Sequence, residues 1–421
     1  MSAGLRVVVL ARAVRSIHGQ GGLERSVYDL VRHLAARGVD VTLITPPPTG
    51  VRREGTTDPF ASPRIHVRHV PYLTFPLANR RGTTILDRST AYPLFGWRAG
   101  RAALALARAG AVDVVHAFGA SGLGYALGRR PGDPPLVLNP QGLEEFGASA
   151  ETLPWAKRIG YAPLRAAVRA TARHAAAIVA TDAALAPVVA RHLRPRDGQM
   201  VTIPNGIDLV EVSALAGPAE GQLLRQRHGI GSGETVLLSV GRLEHNKGFD
   251  VLARALARAA RADGPLAAHG WRWVLVGAGP YRGAIQSVVD AADLGGHVIL
   301  AGRASDTDLH AWYEAATVFV HPTRYEGSSL VTLEAMAHRR AVIGTRAGGL
   351  PDKIRPGVNG WLVDIDSVDA LADAIDAAAR ARATLPALGA AGRKIVEEEF
   401  SWPVLADRQI ALYRDLQSRR P

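Results

Sequence analysis

The sequence predicts an α/β protein of two doubly wound parallel-sheet domains facing a cleft, and three observations carry that prediction. First, an apolar run Leu5–Leu10 is followed by a Gly-rich turn, an apolar-periodic helix from about Leu23 to Ala36, a stop at Gly38 and a second apolar run Val39–Ile44. Strand, turn, helix, strand is the repeating unit of a parallel sheet. Second, another alternating series begins after Ile203-Pro204-Asn205-Gly206-Ile207-Asp208, where Pro sets an extended entry and Asn-Gly a reversal. Third, 421 residues at 47% hydrophobic suffice for two, or three, buried cores.

The elements follow in order. Further strands of the first series are expected at Val112–His116, Leu136–Asn139, Ile178–Ala180 and Val201–Ile203. Between Pro46 and Gly100 the chain reads as irregular, with Pro71-Tyr72, Phe75-Pro76, Tyr92-Pro93 and Phe95-Gly96-Trp97 as loops. Ala/Arg-rich helices at Arg101–Ala109 and Leu164–Ala177 reflect composition rather than a functional motif. The second series places strands at Val236–Val240, Trp273–Val276, Val298–Ala301, Val318–Val320 and Ala341–Gly344. The domains are expected at residues 1–204 and 205–399, with an amphipathic helix from Phe400-Ser401-Trp402 through Leu416 after them.

Net charge is +12, which favours an anionic partner such as a nucleoside diphosphate, nucleic acid or an acidic membrane surface. No nucleic-acid-binding module is recognisable, so none is expected as a partner. The chain has no Cys, which removes disulfides and Cys-based metal sites and fits a cytoplasmic setting. No signal-peptide cleavage pattern follows Leu5–Ala11, and no segment approaches the ~20 apolar residues of a membrane span. Trp155, Lys157, Arg158, Tyr161, Arg165 and Arg169 form a basic, aromatic stretch. It suits either the inner face of an anionic membrane or a solvated helix face.

The densest chemistry lies between Thr323 and Ile354. Glu326 falls in the loop after the strand Val318–Val320, and Glu334 about two turns inside a helix from Leu330 to Ala337. Gly327 permits a tight turn, and Ser328 or Ser329 can cap the helix, whose first N–H groups favour an anion such as a diphosphate. Carboxylates on either side of it could accept hydrogen bonds from sugar and ribose hydroxyls; the bland alternative is a turn cap and a solvated helix face. A second loop, Gly241-Arg242-Leu243-Glu244-His245-Asn246-Lys247-Gly248, sets Arg242 and Lys247 between glycines, where they suit a phosphate or an ordinary basic loop. His116, expected at a strand's carboxyl end, is a ligand candidate or a structural hydrogen-bonder.

The Glu326–Glu334 spacing in E-G-x-x-L-x-x-L-E-A-M-A resembles the signature of the retaining glycosyltransferases of family four, which have the GT-B architecture of two Rossmann-like domains. The loop G-R-L-x-x-x-K-G and the turn Gly21-Gly22-x-Glu24 are similar to further motifs of that family, in the same order. The resemblance implies a metal-independent, retaining transfer of a sugar from a nucleoside-diphosphate sugar, without a cofactor, to a hydroxyl of a glycan or lipid-linked acceptor. It implies that Arg242 and Lys247 stabilise the departing diphosphate, Glu326 holds the donor sugar, Glu334 the ribose, and backbone near Gly302 and Arg303 the base. Gly21 and Gly22 would complete the phosphate pocket, beside Gly327, Ser328, Ser329 and Leu330. His116 and Gln141 would face the donor, and the terminal helix would cross back to the first domain. Polysaccharide or cell-envelope assembly is the setting the resemblance suggests.

Two departures stand out: Gln141 occupies the place of a usual His, and Ser328-Ser329 that of Phe-Gly. They support a catalytically silent sugar-nucleotide-binding subunit as the alternative; a sugar-nucleotide epimerase on the same architecture is another. A nicotinamide enzyme fits poorly, because Gly277, Gly279 and Gly283 form G-x-G-x-x-x-G with Pro280 at the helix start.

Overall fold

The computed structural model describes residues 4–15, 17–19, 21–48, 60, 62–73, 84–141, 143–147, 155–261 and 263–420. The chain divides into two compact units, residues 1–205 with 402–421, and residues 206–401. Phe75-Pro76, expected as a loop, lies outside the described residues.

The first unit contains strands β1 (Arg6–Leu10), β2 (Asp40–Thr45), β3 (Ile65–His69), β4 (Val114–Phe118), β5 (Leu136–Asn139), β6 (Ala177–Ala180) and β7 (Met200–Thr202). They form one sheet in the order β3-β2-β1-β4-β5-β6-β7, paired in parallel throughout. The central strands β1, β4 and β5 are almost wholly buried, which is why their sequences run apolar without alternation.

Helix Gly22–Ala36 covers one face with Val27, Leu30, Val31 and Leu34. The terminal helix Trp402–Ser418 packs beside it, with Trp402 stacked on His33 and Asp407 paired with Arg37.

The region expected to be irregular is corrected here. Ile65–His69 is an edge strand, and Thr84–Arg108 is a 25-residue helix containing Pro93, so Tyr92-Pro93 and Phe95-Gly96-Trp97 are helical. Proline inside a helix costs about 3 kcal/mol. Here Ala91, Phe95, Ala99, Ala103 and Ala107 form a buried stripe at four-residue spacing, and that packing outweighs it. The glycines serve the same contact: a Cβ on Gly96 would stand 2.0 Å from the Ala120 carbonyl oxygen, and one on Gly100 2.2 Å from the Tyr125 amide nitrogen.

The second unit contains β8 (Thr235–Val240), β9 (Trp271–Val276), β10 (Val298–Gly302), β11 (Val318–His321), β12 (Ala341–Thr345) and β13 (Gly360–Val363). Their order is β10-β9-β8-β11-β12-β13, again all parallel. Edge strands β3 and β13 escaped the sequence reading, since one is largely polar and the other is four residues long. Among the described residues no helix is long and apolar enough to cross a membrane.

Candidate functional site

Strand order reverses between β8 and β11, which lie side by side in the second sheet. Loops leaving the carboxyl ends of two such strands diverge and open a crevice, the usual ligand position in a doubly wound sheet. The two loops there are Gly241–Gly248 and Pro322–Ser329, the segments that carry Arg242, Lys247 and Glu326.

The structure brings Lys247 and Glu326 together. Lys247 Nζ lies 2.6 Å from Glu326 Oε2, and the same oxygen accepts a hydrogen bond from His321 Nε2 at 2.9 Å. Burial would raise the Glu326 pKa; the His321 hydrogen bond and the Lys247 ammonium outweigh it and push it down to about 2. Burial holds His321 below its ordinary value despite the opposing pull of Glu326, so the ring is neutral and donates from Nε2. His321, stacked on Phe319 at the end of β11, was not singled out from the sequence. Its signal was available: a His ending an apolar strand five residues before Glu326.

Backbone contacts lock the loops in place. Asn246 carbonyl oxygen accepts from the Arg324 amide at 2.8 Å and the Thr323 hydroxyl at 2.9 Å. Gly248 is left-handed (φ +67), and a Cβ there would stand 2.0 Å from the Pro322 carbonyl oxygen, so only glycine lets the strands' loops approach this closely. Arg324 pairs with Asp250 at 2.9 Å and holds the loop to the helix Phe249–Ala259. Arg242 points elsewhere: its side chain is 78% exposed and pairs with Glu244 at 2.6 Å.

Leu330 begins the helix Leu330–Ala337, as expected. Ser329 occupies the N-cap position, but its hydroxyl meets Thr332 Oγ1 at 2.9 Å and makes no cap bond to the backbone. The Ser328 Oγ is buried without a hydrogen-bond partner among the described residues. Gly327 lies in a bend, as a turn there implies, but without a positive φ, and a Cβ there would meet nothing within 4 Å. The position that requires glycine is Gly348, at φ +50, whose Cβ would fall 1.6 Å from the Glu326 carbonyl oxygen. Glu334 is not on a solvated face; it is 4% exposed and accepts a hydrogen bond from the Tyr313 hydroxyl at 3.0 Å.

Gly302 ends β10 in a left-handed conformation and accepts the Gly277 amide at 2.7 Å; Arg303 beyond it is exposed. The Gly277-Ala278-Gly279 run is explained by packing. Cβ atoms on Gly277 and Gly279 would stand 1.8 and 2.3 Å from the carbonyl oxygens of Gly241 and Leu243. These glycines seat one loop on the next.

In the first unit, Gly21 is the N-cap of the helix Gly22–Ala36, and the Glu24 side chain folds back over it. Gln141 is left-handed (φ 62), its backbone amide and Nε2 both donating to Asn139 Oδ1 at 3.1 and 2.9 Å. A non-glycine residue in that region is held by its surroundings at a cost, a pattern frequent at ligand sites.

His116 departs from expectation. It sits in the middle of β4 rather than at its end, is 1% exposed, and shares a 2.6 Å hydrogen bond between Nδ1 and the Tyr413 hydroxyl. Burial pushes its pKa down to about 3. It joins the terminal helix to the sheet through Nδ1, while its Nε2, buried with no hydrogen-bond partner among the described residues, lines a small cavity with Asn139 and Asn205.

Comparison with known proteins matches residues 20–211 to the model described as Glycosyltransferase Family 4 and residues 221–395 to Glycosyl transferases group 1. The chain is 31% identical over 255 residues to alpha-maltose-1-phosphate synthase of Mycobacterium tuberculosis, covering 56% of this chain and 62% of that protein. It is 34% identical over 196 residues to the GDP-mannose-dependent alpha-(1-6)-phosphatidylinositol monomannoside mannosyltransferase of the same organism, covering 45% and 49%. The chain thus spans about half to three-fifths of these relatives. Among solved structures, sucrose-phosphate synthase of Thermosynechococcus elongatus superposes with a TM-score of 0.74 at 24% identity, covering 98% of this chain and 99% of that one. Anabaena HepE in complex with UDP-glucose gives 0.65 at 19% identity, covering 98% and 99%. These likenesses establish a GT-B fold.

Proposed function

Because the chain belongs to glycosyltransferase family 4, we propose that it transfers a sugar from a nucleoside-diphosphate sugar to a hydroxyl of a glycan or lipid-linked acceptor, with retention and without a metal. The observation that carries this reading is the Lys247–Glu326–His321 cluster at the adjoining ends of β8 and β11, ahead of the helix Leu330–Ala337. A cation, an ionised carboxylate and a helix N-terminus within one crevice match a donor with a diphosphate and a polyhydroxylated ring. The UDP and UDP-glucose bound to HepE support a nucleotide-sugar donor.

The bond between the sugar's anomeric carbon and the diphosphate oxygen breaks while the acceptor oxygen bonds to that carbon on the same face. The acceptor's proton passes to the departing phosphate oxygen. Negative charge grows on the diphosphate; Lys247 stabilises it, joined by Arg242 once its guanidinium turns from Glu244 onto the phosphates. Glu326, kept ionised, accepts hydrogen bonds from the donor sugar; Glu334 holds the ribose; the Gly302-Arg303 turn meets the base.

The reading includes peripheral contact with an anionic bilayer and a cytoplasmic setting. Trp155 and Ile159, 76% and 67% exposed beside Lys157 and Arg158, support the contact.

Calorimetric titration with a nucleoside diphosphate, beside transfer kinetics, tests the site. Glu334→Gln weakens the nucleoside diphosphate itself, whereas Glu326→Gln leaves that affinity nearly intact and depresses transfer. Each loss is about ten- to hundredfold, from roughly 1.5–3 kcal/mol per charged hydrogen bond. The opposite pattern reverses the roles, and no effect from either removes the two-carboxylate site. Transfer by the pure protein excludes a silent subunit.

A further inference from the structure

A cationic cavity lies at the opposite end of the same central strands of the second sheet. It has a volume of ≈ 430 Å³, within the range of small-molecule sites, and opens beside Thr235, which begins β8, and Thr317, just before β11. The Lys247–Glu326 cluster is at the carboxyl ends of these strands, so the cavity occupies the opposite, amino end.

Four guanidinium groups line it, from Arg225, Arg339, Arg340 and Arg382; among the described residues one carboxylate, Glu314, lines it with them, and Glu234 acts on Arg225 from nearby. Glu314 is committed: its Oε1 lies 2.6 Å from His338 Nδ1, and Oε2 3.2 Å from Arg340 Nη2. Two of the arginines are fixed by the fold. Arg225 donates to the Ala315 carbonyl at 2.8 Å and Arg340 to the Ala316 carbonyl at 2.8 Å, so both cap the end of the helix Asp306–Ala315. The other two bring spare donors. Arg382 donates from Nη1 to Thr235 Oγ1 at 2.9 Å, and Arg339 is exposed in a left-handed turn after the helix Leu330–Ala337.

The surplus positive charge is held under mutual repulsion. Burial, then Arg382 and Arg340, keeps the Arg225 pKa below its ordinary value. Burial and Arg339 lower that of Arg340 against the pull of Glu314. Capping helix ends explains Arg225 and Arg340 but not why Arg339 and Arg382 converge on the same cavity.

We propose that this cavity binds the phosphoryl group of a small phosphorylated anion, with Arg339 and Arg382 as its direct donors and Arg225 and Arg340 as fixed background charge. A planar guanidinium fork can bond two oxygens of a phosphoryl group at once, and a dianion would balance most of the excess charge. The site is separate from the nucleotide-sugar crevice and does not depend on that reading.

The probe is inorganic pyrophosphate, titrated calorimetrically into the full chain with and without saturating nucleoside diphosphate. A saturable component should survive the nucleotide, weaken as salt rises, and fall by about tenfold or more in Arg339→Asn/Arg382→Gln. Asn is chosen because it tolerates the left-handed backbone. In wild-type protein, pyrophosphate should also slow phenylglyoxal labelling of the peptides carrying Arg339 and Arg382, a readout that needs no variant. Absence of a nucleotide-resistant component, equal affinity in the double variant, or labelling unchanged by pyrophosphate would each overturn the proposal.

Discussion

Glu326 and Lys247 meet at 2.6 Å across the two loops that leave β8 and β11, and His321 donates to the same carboxylate oxygen. The pair is only 16–17% exposed, so each partner keeps the other's charge tolerable in that environment. Lys247→Ala should therefore lower stability as well as donor affinity. Loss of one member of a fully buried pair costs about 3–5 kcal/mol, and this partly exposed pair somewhat less. Urea denaturation beside a double-mutant cycle with Glu326→Gln checks it: the double variant should lose less than the sum of the singles.

Arg242→Ala should behave differently. Its side chain is 78% exposed and paired only with Glu244, so urea denaturation should register almost no change. Donor binding and turnover should still drop by about ten- to hundredfold if the guanidinium swings onto the diphosphate. Kinetics within twofold of wild type would remove Arg242 from the site.

Acid stability should carry the mark of Glu326. Its folded pKa, about 2, lies below the unfolded value of 4.5, so its contribution is complete above pH 4.5 and is lost as pH falls toward 2. His116 adds a second slope. With a folded pKa of about 3 against 6.5 unfolded, its unfolded form takes up the proton first, and stability declines as pH falls from 6.5 toward 3. Denaturation midpoints across pH 3–7 should show Glu326→Gln flattening only the portion below about 4.5.

Tyr413→Phe deprives the buried His116 of its partner and should cost about 1–3 kcal/mol of stability. Nucleoside-diphosphate affinity should stay within about twofold, because both rings are buried within the first unit's own core. A large affinity loss would restore His116 to the donor site.

Gly248→Ala and Gly327→Ala form a contrasting pair. Alanine at 248 adopts a left-handed backbone and meets the Pro322 carbonyl, for which about 2–5 kcal/mol is expected from strain and overpacking together. Alanine at 327 enters open space, so stability should hold. Thermal denaturation of the two variants decides it.

The bilayer contact is tested on vesicles. Trp155→Ser/Ile159→Ser should reduce recovery on anionic vesicles, and rising salt should do the same for wild type, since exposed charges act over roughly a Debye length of 8–10 Å. Equal recovery on neutral and anionic vesicles would exclude the contact.

The sequence by itself determined the two parallel sheets, most of their strands and the chain order of the loops bearing Lys247 and Glu326. Buried parallel strands leave long apolar runs, and loop glycines and charges leave short motifs; both are local signals. It could not show that the two loops share one carboxylate, because β8 and β11 are about eighty residues apart and become neighbours only through the strand order. Nor could it assign the glycines. Gly327, read as permitting a turn, has free space, whereas Gly348 and Gly248 are pressed against neighbouring carbonyls. Tyr92-Pro93 read as a loop by local propensity, and only an apolar stripe at four-residue spacing, packed on the core, made it helix. His116, apolar on both sides in sequence, could serve ligand or structure until the last helix brought Tyr413 to its ring. In each case the deciding energy comes from a contact distant in sequence, which no local pattern encodes.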